Sequence, residues 1–374
     1  MNIIQHIKSG MNNFYGWKTN RKIIVIESDD WGSIRMPSKQ VFNLCKKMGY
    51  RVDTNPYESF DSLASQSDLE LLFDVLLSVK DTQNNPAVLT ANCVVANPDF
   101  DRIKESNFEN YYYETIDKTF LRYPNHSNNL SIWKTANNEG VFHPQFHARE
   151  HLNVSKFMIS LQKNDSDVHF GFTNKMPGCV TKNQYEAKNL YVEATMYNSS
   201  EDKKQKLSAY LDGLSLFEKT FGYKSLSVIP PNYTWCTDFN TSISESGVRF
   251  LQGIRKYREP VVDSKMNYIS RYTGKENADG LIDIVRNVFF EPALQKDNNT
   301  ENRVISEIRN AFIMKKPAVI CSHRVNYIGF IDERNRDANL VLFKNILRKI
   351  VQLWPDVEFM TSDKLGQLIK SETL

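Results

Sequence analysis

The sequence predicts an α/β fold: an irregular (β/α) barrel of about seven parallel strands with long loop insertions. Three observations carry that prediction. Short apolar runs alternate with amphipathic helical patterns from end to end of the chain. No Pro/Gly-rich linker, sequence repeat or low-complexity tract interrupts the alternation, so one domain accounts for it. The apolar fraction of 41% with 24% charged residues supplies a large core and a soluble surface.

The elements follow in order. Lys22–Ile26 is β-branched and reads as a central strand covered on both faces, running directly into Asp29 and Asp30. Two adjacent buried carboxylates are costly without a positive partner, and a metal ion would supply one. Ser38–Met48 is the next helix, with Gly49 placed to stop it. Over Ser67–Lys80, residues Leu69, Leu72, Phe73, Leu76 and Leu77 share one helical face. PAVLTANCVV, from Pro86, is a second buried strand. The polar stretch 98–140 reads as an irregular insertion over an active face, where Tyr111, Tyr112 and Tyr113 offer rings for stacking on sugars or for surface packing. GVFHPQFHAREH then gives a short strand and a turn, with a helix from about Leu152. After a loop-rich region to about Asn189 come LYVEATMY and a helix over Lys203–Phe221. The last third supplies apolar runs at SLSVIPP, VRFLQGI, LIDIVRNVFF, PAVICSH and VEFMT, with helices over Glu301–Met314 and Asn335–Gln352. The chain thus divides into an N-terminal extension, 1–20, and a single barrel domain, 21–374.

Composition narrows the partners. Lys and Arg total 47 against 44 Asp and Glu, which gives no electrostatic case for nucleic acid or an anionic membrane. Five scattered cysteines without a C-x-x-C pair argue against a disulfide framework or a cysteine-based zinc site and fit a reducing compartment. The first residues lack a continuous apolar segment and a small-residue cleavage site, so a cytoplasmic protein is expected. Ile3, Ile4, Ile7 and Met11 can form a weak amphipathic face, for packing on the body or for slight peripheral membrane contact. No apolar run approaches the ~20 residues of a membrane span. Oligomeric state is not legible in the sequence.

In such a barrel, functional side chains sit where strands end. Those ends carry Asp29 and Asp30, then His143, His147 and His151, then His323, which is four of the chain's seven histidines. The four-residue spacing of His147 and His151 would put both imidazoles on one face of a helix, where they can share an ion. With one carboxylate they make a two-His, one-Asp set with room for water, as in catalytic zinc sites. A metal there lowers the pKa of bound water and polarises a carbonyl, and the second aspartate is free to act as base.

The order of these motifs resembles that of the polysaccharide deacetylases of the NodB-homology type, the carbohydrate esterase family 4 kind, which are irregular (β/α) barrels. Glu27-Ser28-Asp29-Asp30-Trp31 is similar to their T-F-D-D-G. His147-Ala148-Arg149-Glu150-His151 is similar to H-[ST]-x-x-H, and Val319-Ile320-Cys321-Ser322-His323 to the strand ending in L-x-H. Ile229-Pro230-Pro231-Asn232-Tyr233 looks similar to their proline-rich third motif. The resemblance implies Asp29 as general base, His323 as general acid, and Asp30, His147 and His151 as metal ligands. It also implies an oxyanion donor near Tyr233, with Trp31, Arg149, His143 and Arg324 about the substrate. Ile229 stands where the family has the arginine that orients its base; Arg35, Arg255 and Arg324 are the candidate replacements. No counterpart of the family's Asp–Trp motif stands out.

The implied activity is metal-dependent hydrolysis of an acetyl group, an N-acetyl in the first instance, from a saccharide or glycoconjugate. Zinc is the first choice of metal, with Co2+, Ni2+, Fe2+ and Mn2+ able to fill the same shell. Two other readings stand beside it. HAREH is also H-x-x-E-H, a metallopeptidase string with Glu150 as base. A catalytically inactive carbohydrate-binding protein on the same fold would account for the altered third motif.

Overall fold

The apolar run at Lys22 forms β1 (Lys22–Trp31), buried along almost its whole length in the computed structural model, which describes residues 13–123, 125–177, 191–262, 266–295 and 299–373. Around it stand β2 (Leu89–Val94), β5 (Phe142–Ala148), β6 (Ser227–Val228), β7 (Phe250–Gly253), β10 (Ile282–Val285), β11 (Val288–Phe289), β12 (Ala318–His323) and β13 (Val357–Met360). All pair in parallel, in the order β10-β7-β6-β5-β2-β1-β12-β11, with β13 alongside the first residues of β1. The sheet is a curled, barrel-like half-barrel covered by helices, as the alternation predicts.

β10 and β11, the outermost strands of that order, are separated in sequence only by Arg286 and Asn287. Arg286 N–H donates to Gly253 O of β7 at 2.7 Å, and Asn287 N–H to Val319 O of β12 at 3.0 Å. One stretch of chain therefore links both edges of the sheet. Successive residues of an extended chain point to opposite faces. Arg286 turns inward to β1, while the Asn287 side chain meets Asn13, the Pro317 carbonyl and the Val319 N–H.

One expectation changes. The described residues of 98–140 hold regular elements: β3 (Ala96–Pro98) pairs antiparallel with β4 (Tyr113–Thr115), and helices span Phe100–Glu105, Ile116–Arg122 and Asn129–Asn138. Its tyrosine rings are partly covered, Tyr112 by the Arg102 guanidinium at 4.1 Å and Tyr113 by that of Arg149 at 4.5 Å. Residues 191–197, within LYVEATMY, form turns. A second hairpin, β8 (Lys256–Glu259) with β9 (Asn267–Ser270), rises after β7.

The described part of the N-terminal segment packs on the body. Lys316 Nζ donates to the carbonyls of Tyr15, Gly16 and Trp17 at 2.9, 2.6 and 2.8 Å. The amphipathic face expected at Ile3, Ile4, Ile7 and Met11 lies outside the described residues. Among those described, no helix is long and apolar enough to cross a membrane.

Candidate active site

Adjacent strand residues normally face opposite ways, yet Asp29 and Asp30 both enter the same site. A register shift between Ser28 and Trp31 makes this geometry available. Asp30 has φ 75°, a left-handed conformation that a residue with a Cβ adopts at a cost. Gly32, at φ +84°, completes the turn; a Cβ there would meet Val94 O at 2.9 Å.

His147 comes from β5 and His151 from the turn after it, so the pair is brought together by a strand and a turn, not by the helical spacing expected. His147 Nδ1 lies 2.8 Å from Ile229 O. A carbonyl only accepts, so Nδ1 carries the proton and Nε2 keeps its lone pair. That Nε2 and His151 Nδ1 are buried without a hydrogen-bond partner, and the Nε2 atoms of His147 and His151 stand 3.6 and 3.2 Å from Asp30 Oδ1. One ligand atom from each of the three residues can be chosen so that all lie within 4.8 Å of one another. Two imidazole nitrogens and a carboxylate, with buried nitrogens lacking partners, fit a divalent metal such as zinc.

Electrostatics reinforce the set. Burial and the nearby Arg35 lower His151 to about 4, leaving it neutral as a ligand must be. Burial opposes charge on Asp30, but Arg35 and His151 outweigh it and hold the carboxyl well below its usual range.

Asp29 lies on the other side of this group. Arg286 Nη2 and Nη1 donate to its two oxygens at 2.6 and 2.8 Å, and Asn92 Nδ2 to Oδ1 at 2.8 Å. Burial raises the carboxyl, but Arg286, with help from His323 and His147, brings it down to about 2. The same guanidinium holds Glu27 through Nε at 2.5 Å. Across the site, His323 Nε2 faces Asp29 Oδ2 at 3.7 Å, while its Nδ1 is fixed by Glu291 Oε1 at 2.6 Å. Burial disfavours the charged ring, yet Glu291 and Asp29 raise it to about 9.

The structure thus gathers Asp29, Asp30, His147, His151 and His323. It places the other expected residues differently. Trp31 is fully buried on the outer side of β1, its indole bonded to Ser28 Oγ and packed on Trp133 and Phe142, so it cannot meet a substrate. His143 sits near the start of β5, roughly 13 Å before His147 along the strand, bonded to Asn137 and Asp363. Arg149 pairs bidentately with Glu150 and reaches Asp212 on the long helix Ser200–Phe221. Arg324, also fully buried, holds Asp61, which lies against Arg35. Tyr233 donates its own N–H to Pro230 O, so that N–H is engaged within the turn, and its hydroxyl stands 3.1 Å from Arg286 Nη1.

None of the three arginines proposed to orient the base does so. Arg35 lies against Asp30 at 3.5 Å, Arg324 against Asp61, and Arg255 over the Tyr15 ring. Arg286 fills that position, and Glu291, just past the same apolar run, holds the histidine. Sequence reading missed both. The signal available was an arginine inside LIDIVRNVFF, where a buried charge needs a partner.

No model of a known protein family matches this chain, and no curated protein matches it. Among solved structures it is similar to the peptidoglycan deacetylase PdaC of Bacillus subtilis, at 11% identity over 95% of this chain and 94% of that one, TM-score 0.33. It is also similar to Puue allantoinase, at 10% identity over 94% and 91%, TM-score 0.41. A GH57-type branching enzyme from Pyrococcus horikoshii gives 8% identity over 93% and 70%, TM-score 0.46. At these scores none bears on the chemistry of this chain, which rests on its own residues.

Proposed function

We propose that the protein is a metal-dependent hydrolase that removes an acetyl group, first of all an N-acetyl, from a saccharide or glycoconjugate. The observation that carries this reading is the opposition of Asp29 and His323 beside three converging metal donors. Asp30, His147 and His151 would hold the ion, zinc for preference. Bound there, a divalent ion supplies Lewis acidity, activating water and polarising the acetyl carbonyl.

The chain's own groups do the rest. Asp29 Oδ2 takes the proton of the attacking water, its carboxylate aimed by Arg286 and Asn92. His323 delivers a proton from Nε2 to the departing amine, with Glu291 holding the ring and favouring its protonated form. Burial of the site strengthens each of these interactions.

Two rival readings lose their support. A peptidase would need Glu150 as base, but both its oxygens are bonded to Arg149. His147 also lies on a strand, not on the helix that H-x-x-E-H requires. The inactive-protein reading rested on the altered third motif and the absent Asp–Trp pair; Arg286 holding Asp29 and Glu291 holding His323 speak against it.

Metal content and acetyl release from N-acetylglucosamine oligomers, measured on wild type and variants, test the proposal. As purified, before any metal is added, wild type should carry about one metal per chain, and the His147→Ala, His151→Ala double variant none at the Asp30 site. Asp29→Asn should keep the metal and lose at least about 1,000-fold in turnover. Full activity in Asp29→Asn, or a metal-free wild type after incubation with zinc, would sink it.

A further inference from the structure

A second group of donors converges at the end of β12. Cys321 and His323 lie two residues apart on that strand, so their side chains leave the same face, and Glu291 reaches them from just beyond β11. Glu291 Oε1 stands 2.6 Å from His323 Nδ1 and 3.6 Å from Cys321 Sγ, and one donor atom from each of the three residues lies within 4.8 Å of the others. Asn326 Nδ2 fixes the other Glu291 oxygen at 2.8 Å, which keeps Oε1 turned toward the pair. Burial raises the Cys321 thiol to about 12 against the pull of Arg286 Nη1, 3.4 Å from the sulfur, so an entering ion has to displace its proton; the Arg286 charge is itself matched by Glu27 and Asp29. The hydrolytic scheme has no use for Cys321.

We propose that Glu291, Cys321 and His323 form a second, inhibitory site for a soft divalent cation such as zinc or cadmium. Sulfur, imidazole and carboxylate together suit these ions and not magnesium or calcium. Donors around a tetrahedral ion stand about 3.5 Å apart, so His323 and Glu291 need part by only about 1 Å. The entering ion displaces the thiol proton and the proton shared by His323 and Glu291 to solvent. His323 is then a metal-bound neutral imidazole, a far weaker acid than imidazolium. That consequence rests on the hydrolytic reading; the uptake of the ion does not.

Cobalt titration of the purified protein separates the two sites, because only the second has a sulfur ligand. The first equivalent should give no thiolate-to-cobalt charge-transfer band in the near ultraviolet, and the second should bring one. The band should vanish in Cys321→Ser and Cys321→Ala, which keep the first equivalent, and persist in the His147→Ala, His151→Ala variant. Zinc beyond one equivalent should lower wild-type deacetylation at least about tenfold, and the Cys321 variants should resist it. Uptake that stops at one equivalent without a band overturns this proposal and leaves the hydrolytic one standing. A band on the first equivalent overturns both, since the sulfur set would then be the primary site.

Discussion

At Arg286 two buried carboxylates, Glu27 and Asp29, share one guanidinium. Arg286→Met would leave them without a counter-charge, and we expect a loss of about 3–5 kcal/mol in urea unfolding. Arg286→Lys keeps the charge but not the fork and should still lose activity, at least about tenfold. Wild-type stability in Arg286→Met would show that the carboxylates find other partners. Glu291 sets a different property. His323 must be protonated to act as an acid, and its raised value of about 9 places the alkaline limb of kcat/KM near that pH. Glu291→Gln removes the largest of the charges that raise it and leaves Asp29 and Asp30 alone to oppose burial, which lowers it. The alkaline limb should move to lower pH; an unmoved limb would assign it to another group. Asp29, Asp30 and His323 were legible because strand ends are local features of a sequence. Arg286 was not, because its partners lie 257 and 259 residues away and no local pattern records such a pairing.

The elements were read more fully than the contacts between them. A parallel strand buried on both faces is a continuous apolar run, and β1, β2 and β12 announce themselves that way. The hairpin of β3 and β4 did not, since three-residue strands carry too little periodicity to show. The bulge at the end of β1 was likewise hidden, although Gly32 marks it. Gly32→Ala should destabilise by more than about 1 kcal/mol, because Ala resists positive φ and its Cβ would press on Val94 O. It should also weaken metal binding by shifting Asp30. Ser65→Ala is the control. It breaks the capping box of the helix Gln66–Leu77 at a cost of about 1 kcal/mol, with metal affinity unchanged. Equal metal affinity in both variants would separate the bulge from the site.

Across the whole molecule, the N-terminal segment, the sheet seam and the site are contiguous. Lys316→Met should release the backbone of residues 15–17, costing about 2 kcal/mol and exposing the segment to limited proteolysis near Gly16. Unchanged protease resistance would show that other contacts hold it. The seam has a further consequence. Arg286 and Asn287 join the two ends of the sheet through their backbones while the Arg286 side chain grips the base, so the strands cannot part there without freeing Asp29. Catalytic competence is therefore a gauge of closure: during slow denaturation, turnover should fail at the first opening of this seam, while the helices and the remaining strands are still in place.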